Sequence, residues 1–183
     1  LRRTGEPLEP HHRSLKAAID WSYDFLPPKE QVLLRRLAVF RGGCTLEAAE
    51  SICAGGEVAG DEVLDLVAGL VDKSLVEVSA GLGCRRYRVH APVWHYAREK
   101  LAASGEERRV LSAHCDHYVT VARAVGSDRD ADYPPDSGSP LGEESRNLRA
   151  AMEWLGEDGS GGSEAELVLA AALRRLESGP TAP

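Results

Sequence analysis

No apolar run in the 183 residues approaches the ~20 that a membrane-spanning helix needs. The first fourteen residues, LRRTGEPLEPHHRS, lack the apolar centre of a secretion signal. A cytoplasmic location with no membrane partner is therefore expected. Cysteine is sparse: Cys44, Cys53, Cys84 and Cys115 form no C-x-x-C pair, which excludes a disulfide framework or a zinc ribbon and leaves reduced thiols. A basic excess is missing too. The net charge of −7 and pI near 5.4 are the opposite of what a dedicated phosphate-neutralising protein carries. The four lysines, Lys16, Lys29, Lys73 and Lys100, follow Leu, Pro, Asp and Glu, so there is no Gly-Lys-Ser/Thr to cradle nucleotide phosphates. Nor does a Ser/His/Asp order, a nucleophile elbow or an H-E-x-x-H stand out. This chain alone is expected to be no enzyme, to hydrolyse no ATP and to hold no cofactor. Its first residue is Leu, not Met, which fits a piece of a longer chain or a processed product.

What is present is the material of a folded protein, 43% apolar and 28% charged. Residues 1–13 mix Pro, Gly, His and Arg and read as a linker. From Ser14, a candidate N-cap, Leu15, Ala18, Ile19, Ser22, Phe25 and Leu26 follow helical spacing up to Pro27 and Pro28. A second helix, 28–40, carries Val32, Leu33, Leu37 and Phe40 on one side and stops at Gly42 and Gly43. A third, 45–54, starts at Thr45, and a fourth, 61–73, shows an apolar stripe of Val63, Leu64, Val67, Leu70 and Val71.

The period then changes from 3.6 to 2. Leu75, Val76 and Val78, a glycine-rich connection, and Tyr87 with Val89 predict a β-hairpin. In its second strand Tyr87 and Val89 belong in the core, so Arg86, Arg88 and His90 are expected to share the outward face. Helices followed by a two-stranded hairpin make a winged helix-turn-helix. Past the wing the chain is all helix. Segments 92–103 and 106–125 precede a polar loop at 127–140, and segments 143–155 and 164–177 follow it, with a frayed end. The predicted layout is a linker over 1–13, a winged-helix domain over 14–104 and a connecting helix over 105–126. A flexible loop over 127–140, a helical-repeat-like segment over 141–178 and a disordered tail over 179–183 complete it. The fold class is mainly α, a winged helix with a small wing leading into antiparallel helices like the start of a TPR-like array.

The elbow at His90 is the most promising place for chemistry. Pro92 suits a first helical turn, and a helix start offers unpaired N–H groups and a partial positive charge to an anion, most often a phosphate. The alternative is that His90 merely ends a strand and packs or caps locally. His114, Cys115 and His117 share a helix face, but without a second cluster at zinc-site spacing core packing is the better account, with His114 nearer solvent. For DNA, the helix before the wing would have to enter the major groove. It offers Asp61, Glu62, Asp65 and Asp72 against Lys73 alone, so direct nucleic-acid contact is expected to be unlikely. The rival is a freestanding DNA-binding regulator using Arg85, Arg86 and Arg88 on the backbone.

Four blocks occur in one order: SLKAAIDWSYDFLPPKEQVLLRRLAVFRGGCTLEAAESIC, VLDLVAGLVDKSLVEV, RYRVHAPVWHYAREKLAASGE and ESRNLRAAMEWL. Over residues 14–155 they resemble the winged-helix and following segments of bacterial STAND ATPase regulators, the AfsR-like and LuxR-family transcriptional regulators related to NB-ARC proteins. The resemblance implies a regulatory module that closes over a P-loop ATPase domain absent from this chain, with ADP or ATP bound there. A DNA-binding effector domain would lie elsewhere. It also implies that His90, in the place of the histidine of a Met-His-Asp type motif, contacts the ADP phosphate; Arg86 and Arg88, expected on the same outward face, are candidate contacts beside it. Ala91 departs from the Asp usual there. A lost capping carboxylate costs ~1 kcal/mol of helix stability, which bears on how tightly an ADP-held off state would be kept.

Overall fold

Pro10, not Ser14, opens the first helix in the computed structural model, which describes residues 10–80, 84–127, 140–159 and 162–178. Proline has no N–H to lose in a first helical turn, so it starts the helix four residues before the serine. Helix α1 (Pro10–Asp24) and the turn after it deliver Tyr23 and Leu26 to the core. Helix α2 (Pro28–Leu37) again starts on a proline and buries Val32, Leu33, Leu34 and Leu37. Helix α3 (Leu46–Cys53) is capped as its sequence predicts, the Ala48 N–H donating to Thr45 Oγ1 at 3.1 Å. A single 3₁₀ turn (Gly60–Glu62) leads into α4 (Val63–Asp72), whose Val63, Val67 and Leu70 are fully covered.

α4 ends without glycine. Ser74 takes the left-handed φ of 57°, its N–H bonds to Val71 O at 2.8 Å, and the Leu75 N–H reaches Leu70 O at 3.0 Å. These are the two bonds of a Schellman stop, which turns the chain straight into the wing. Strand β1 (Val76–Ala80) pairs antiparallel with β2 (Arg85–Val89), Val76 opposite Val89 and Val78 opposite Tyr87. Cys44 adds a one-residue bridge on the other edge of β2, exchanging two backbone bonds with Tyr87 at 2.8 and 2.9 Å. That approach needs Gly43. Its φ is +76°, and a Cβ there would lie 2.7 Å from Tyr87 O.

Helices α5 (Ala91–Ala103), α6 (Glu107–Ser127), α7 (Pro140–Glu157) and α8 (Glu164–Ser178) follow. α5 packs on α1 and α2, α6 on α3, and α6, α7 and α8 on one another, so the buried side chains form one continuous core. Most of the 127–140 loop expected from sequence, residues 128–139, lies outside the described residues, as do 1–9 of the linker and all of the tail. Among the described residues no helix is long and apolar enough to cross a membrane.

Two corrections concern burial. Arg86 is 6% exposed, because α7 covers that part of the wing face and supplies carboxylates to it. His114 is 1% exposed, its ring lying against Phe40 and Tyr118, while His117 is only half-buried.

A buried ion cluster ties the start of α6 to α2 and α3. Arg36, 2% exposed, donates to Cys53 O at 2.7 Å and Gly55 O at 2.8 Å, and its guanidinium is paired with Glu106. Arg35 holds the second Glu106 oxygen at 2.7 Å. Truncating the carboxylate would leave a buried guanidinium uncompensated, so Glu106→Ala should lower unfolding free energy by about 3 kcal/mol in urea titrations.

Candidate nucleic-acid interface

The wing presents its cations unequally. Arg85 and Arg88 are exposed, Arg88 with only a long contact of 3.9 Å to Glu77. Arg86 turns under the sheet, pairs with Glu144, and donates to Gly43 O at 3.2 Å. His90 is the N-cap residue of α5. Its side chain makes no capping bond and is 43% exposed, with Nδ1 3.8 Å from the Glu77 carboxylate. Arg86 is thus parted from the other two, being inside, while Arg88 and His90 both face the Glu77 carboxylate.

The partner of Arg86 belongs to a buried polar network absent from the sequence-level candidates. Asn147, fully buried on α7, places its amide nitrogen 2.9 Å from Gly43 O, 2.9 Å from the Tyr118 hydroxyl and 2.8 Å from Glu144 Oε2. Its carbonyl accepts the Arg41 N–H at 2.9 Å and the Gly42 N–H at 3.4 Å. Tyr118 donates to Glu144 at 2.8 Å. Burial pushes the Glu144 carboxyl up, but the bonds from Arg86, Asn147 and Tyr118 outweigh it and hold the group below its ordinary value. The available signal was an Asn amid the apolar Leu148, Ala151 and Leu155 of the same helix.

Docked this way, α7 lies across from the wing and creates a groove of about 550 Å³ lined by Phe40, Gly43, Val89, Ala91 and Trp94 below and by Arg41, Arg88, Arg146 and Arg149 around it, against the single acid Glu153. The Trp94 Nε1–H donates to Phe40 O at 2.8 Å, which fixes the indole in the wall. A second concavity beside it shares Arg88 and Arg146 and adds Ser79, Arg86 and Ser145, with Glu143 its one acid. Arg41 and Arg149 have exposed ion-pair partners, Glu153 at 2.7 Å and Glu177 at 3.2 Å, and such pairs are weak. Arg146 has no ion-pair partner among the described residues. The face of α4 is the opposite in sign. Asp61, Asp65 and Asp72 are exposed there with Leu64, and Lys73 is held by Glu30 at 3.0 Å.

Residues 26–102 match the model of the winged helix-turn-helix domain. That region of the chain is a winged helix. Among curated proteins, the chain is 41% identical over 147 residues to “Putative HTH-type transcriptional regulator Rv0890c” of Mycobacterium tuberculosis and equally to “Putative HTH-type transcriptional regulator Mb0914c” of Mycobacterium bovis, covering 80% of this chain and 16% of each relative. It is 40% identical over 114 residues to “Uncharacterized protein Rv0894” of M. tuberculosis, covering 62% of this chain and 29% of that one. The chain therefore spans about a sixth of the length of the regulators it matches. No solved structure matches it significantly.

The domain match and the relatives' names overturn the expectation that nucleic-acid contact is unlikely. That expectation rested on net charge and on α4. Net charge sums over a whole surface, whereas a polyanion responds to the face it meets, and exposed arginines collect on the wing and α7 side.

The same docking gives a pH signature. Burial, and then His117, push His114 down to about 3 from an ordinary 6.5, and its Nε2 has no partner among the described residues. A depressed folded value means that the unfolded chain takes up the proton first. The stabilisation is complete above pH 6.5 and falls away below it. The His114 contribution should amount to about 2 kcal/mol lost by about pH 5, with half-buried His117, also lowered, adding in the same window. His114→Phe should flatten the decline between pH 6.5 and about 5 in thermal unfolding followed by circular dichroism.

Proposed function

We propose that this chain is the winged-helix part of a transcriptional regulator and that it contacts DNA directly. The observation that carries the reading is the helix-turn-helix-wing arrangement of α2, α3, α4 and the hairpin, over the stretch that matches the winged helix-turn-helix family. The relatives' names support it. So does the gathering of exposed arginines beside the wing. With few cations in play, the module binds modestly, in the range of nonspecific binders at about 10⁻⁴–10⁻⁶ M in physiological salt. The remainder of a longer regulator would add affinity and sequence preference. Fluorescence anisotropy with a DNA duplex over a salt series tests this. The expected result is saturable binding whose log K falls linearly with log salt, by about 0.9 per phosphate neutralised; absence of binding even at the lowest salt would sink the reading.

A second reading is the nucleotide-state module suggested by the STAND resemblance, with His90 meeting an ADP phosphate. One observation favours it: the His90 ring is half exposed at the N-terminus of a thirteen-residue helix and does not cap it, which leaves the helix start without a side-chain cap. Glu77, 3.8 Å from Nδ1, counts against an anion there. With ADP and a P-loop ATPase domain added together, His90→Ala should weaken ADP affinity under this reading, and an unchanged affinity would remove it.

A further inference from the structure

We infer that the module meets the DNA backbone through the groove between the wing and α7, with Arg88 and Arg146 as its principal phosphate contacts, and not by inserting α4 into the major groove. This rests on the DNA-binding reading above and assigns the face that carries it.

The argument is one of charge placement. A helix entering the major groove passes between two phosphate rows and needs cations or amides on its outer face. The exposed residues of α4 and the turn before it include Asp61, Asp65 and Asp72. Glu62, paired with Lys29 at 2.6 Å, stands at the same entrance. The nearest lysine, Lys73, is engaged with the buried Glu30. Insertion would therefore set carboxylates against phosphates with nothing to screen them.

The wing side reverses each of these terms. Arg88 is exposed on β2, Arg85 precedes it at the strand start, and Arg146 reaches the same two concavities from α7. Arg41 and Arg149 stand at the rim in exposed pairs, whose carboxylates a phosphate can replace at little cost. Planar guanidinium groups suit phosphate oxygens in bidentate contacts. Their positions are held from below, since the Asn147 and Arg86 network seats α7 on Gly42 and Gly43. The site thus joins residues nearly sixty positions apart, one from the wing and one from the helices after it, and neither segment has it alone.

The test compares three variants of the whole chain with the unaltered protein, by anisotropy on one mixed-sequence duplex over a salt series. Circular dichroism confirms that each is folded, as expected for substitutions at exposed positions. Arg88→Glu with Arg146→Glu should weaken binding at least tenfold and reduce the salt slope by about 2, one increment of ~0.9 for each lost phosphate contact. Arg108→Glu, at an exposed site on α6, changes the net charge by half as much and should leave affinity and slope nearly unchanged, whereas an effect of net charge alone would give it half the groove pair's loss in log K. Asp65→Asn with Asp72→Asn should leave affinity within twofold. The inference fails if the groove pair behaves like Arg108→Glu, or if neutralising α4 tightens binding severalfold. If the unaltered protein does not bind, the DNA-binding reading itself fails and takes this assignment with it.

Discussion

The seating of α7 on the wing depends on one buried side chain, Asn147. A fully covered amide can be tolerated only when both ends are satisfied, because an unpaired buried polar group costs several times what a made hydrogen bond returns. Asn147 is satisfied by the backbone N–H groups of Arg41 and Gly42 at one end and by Gly43 O, Tyr118 and Glu144 at the other. Since these acceptors and donors come from the loop after α2, from α6 and from α7 itself, they are all available only when the three are assembled in one register. Arg86 extends the constraint to β2 through Glu144. A buried ion pair of this kind adds little net stability compared with an apolar contact of equal size, but it tolerates few alternative arrangements.

Two polar clamps of similar design hold the ends of the α6 region. At its start, Glu106 gathers Arg35 and Arg36 and closes α2 and α3 beneath it. Further along, Tyr118 and the α7 residues take hold of the wing side. Between the clamps lie Val110 and Cys115, both buried. The helices after the wing are in this way bound into the same core as the winged helix, and motion of one part against the other would have to open buried charge.

That rigidity bears on function. Arg146 and Arg149 are distant in sequence from the wing, yet α7 is held where they border the same groove as Arg88. A winged helix with an acidic third helix is a poor candidate for reading bases in the usual manner, and a cationic ledge on its other side changes what such a domain can do. In the proposed arrangement, phosphate contacts on the ledge would spare α4 from approaching DNA and leave its exposed Leu64 and its aspartates outside the contact.

The order and kind of the elements follow from local patterning. Periodicity placed all four helices before the wing, the hairpin and the four helices after it, and Thr45 capped α3 as its type demands, because these features depend on local backbone geometry and on which residues shun water. Local chemistry erred where two starts competed, as at Pro10 and Ser14. The tertiary structure alone decided which polar groups are inside. Alternation along β2 assigns Arg86 to the outer face correctly, but whether that face meets water depends on α7, which the chain brings back nearly sixty residues later. His114 is hidden for the same reason, by contact with Phe40 and Tyr118. The cationic groove was likewise illegible in a chain of net charge −7, since charge composition carries no record of which arginines packing will bring to one surface.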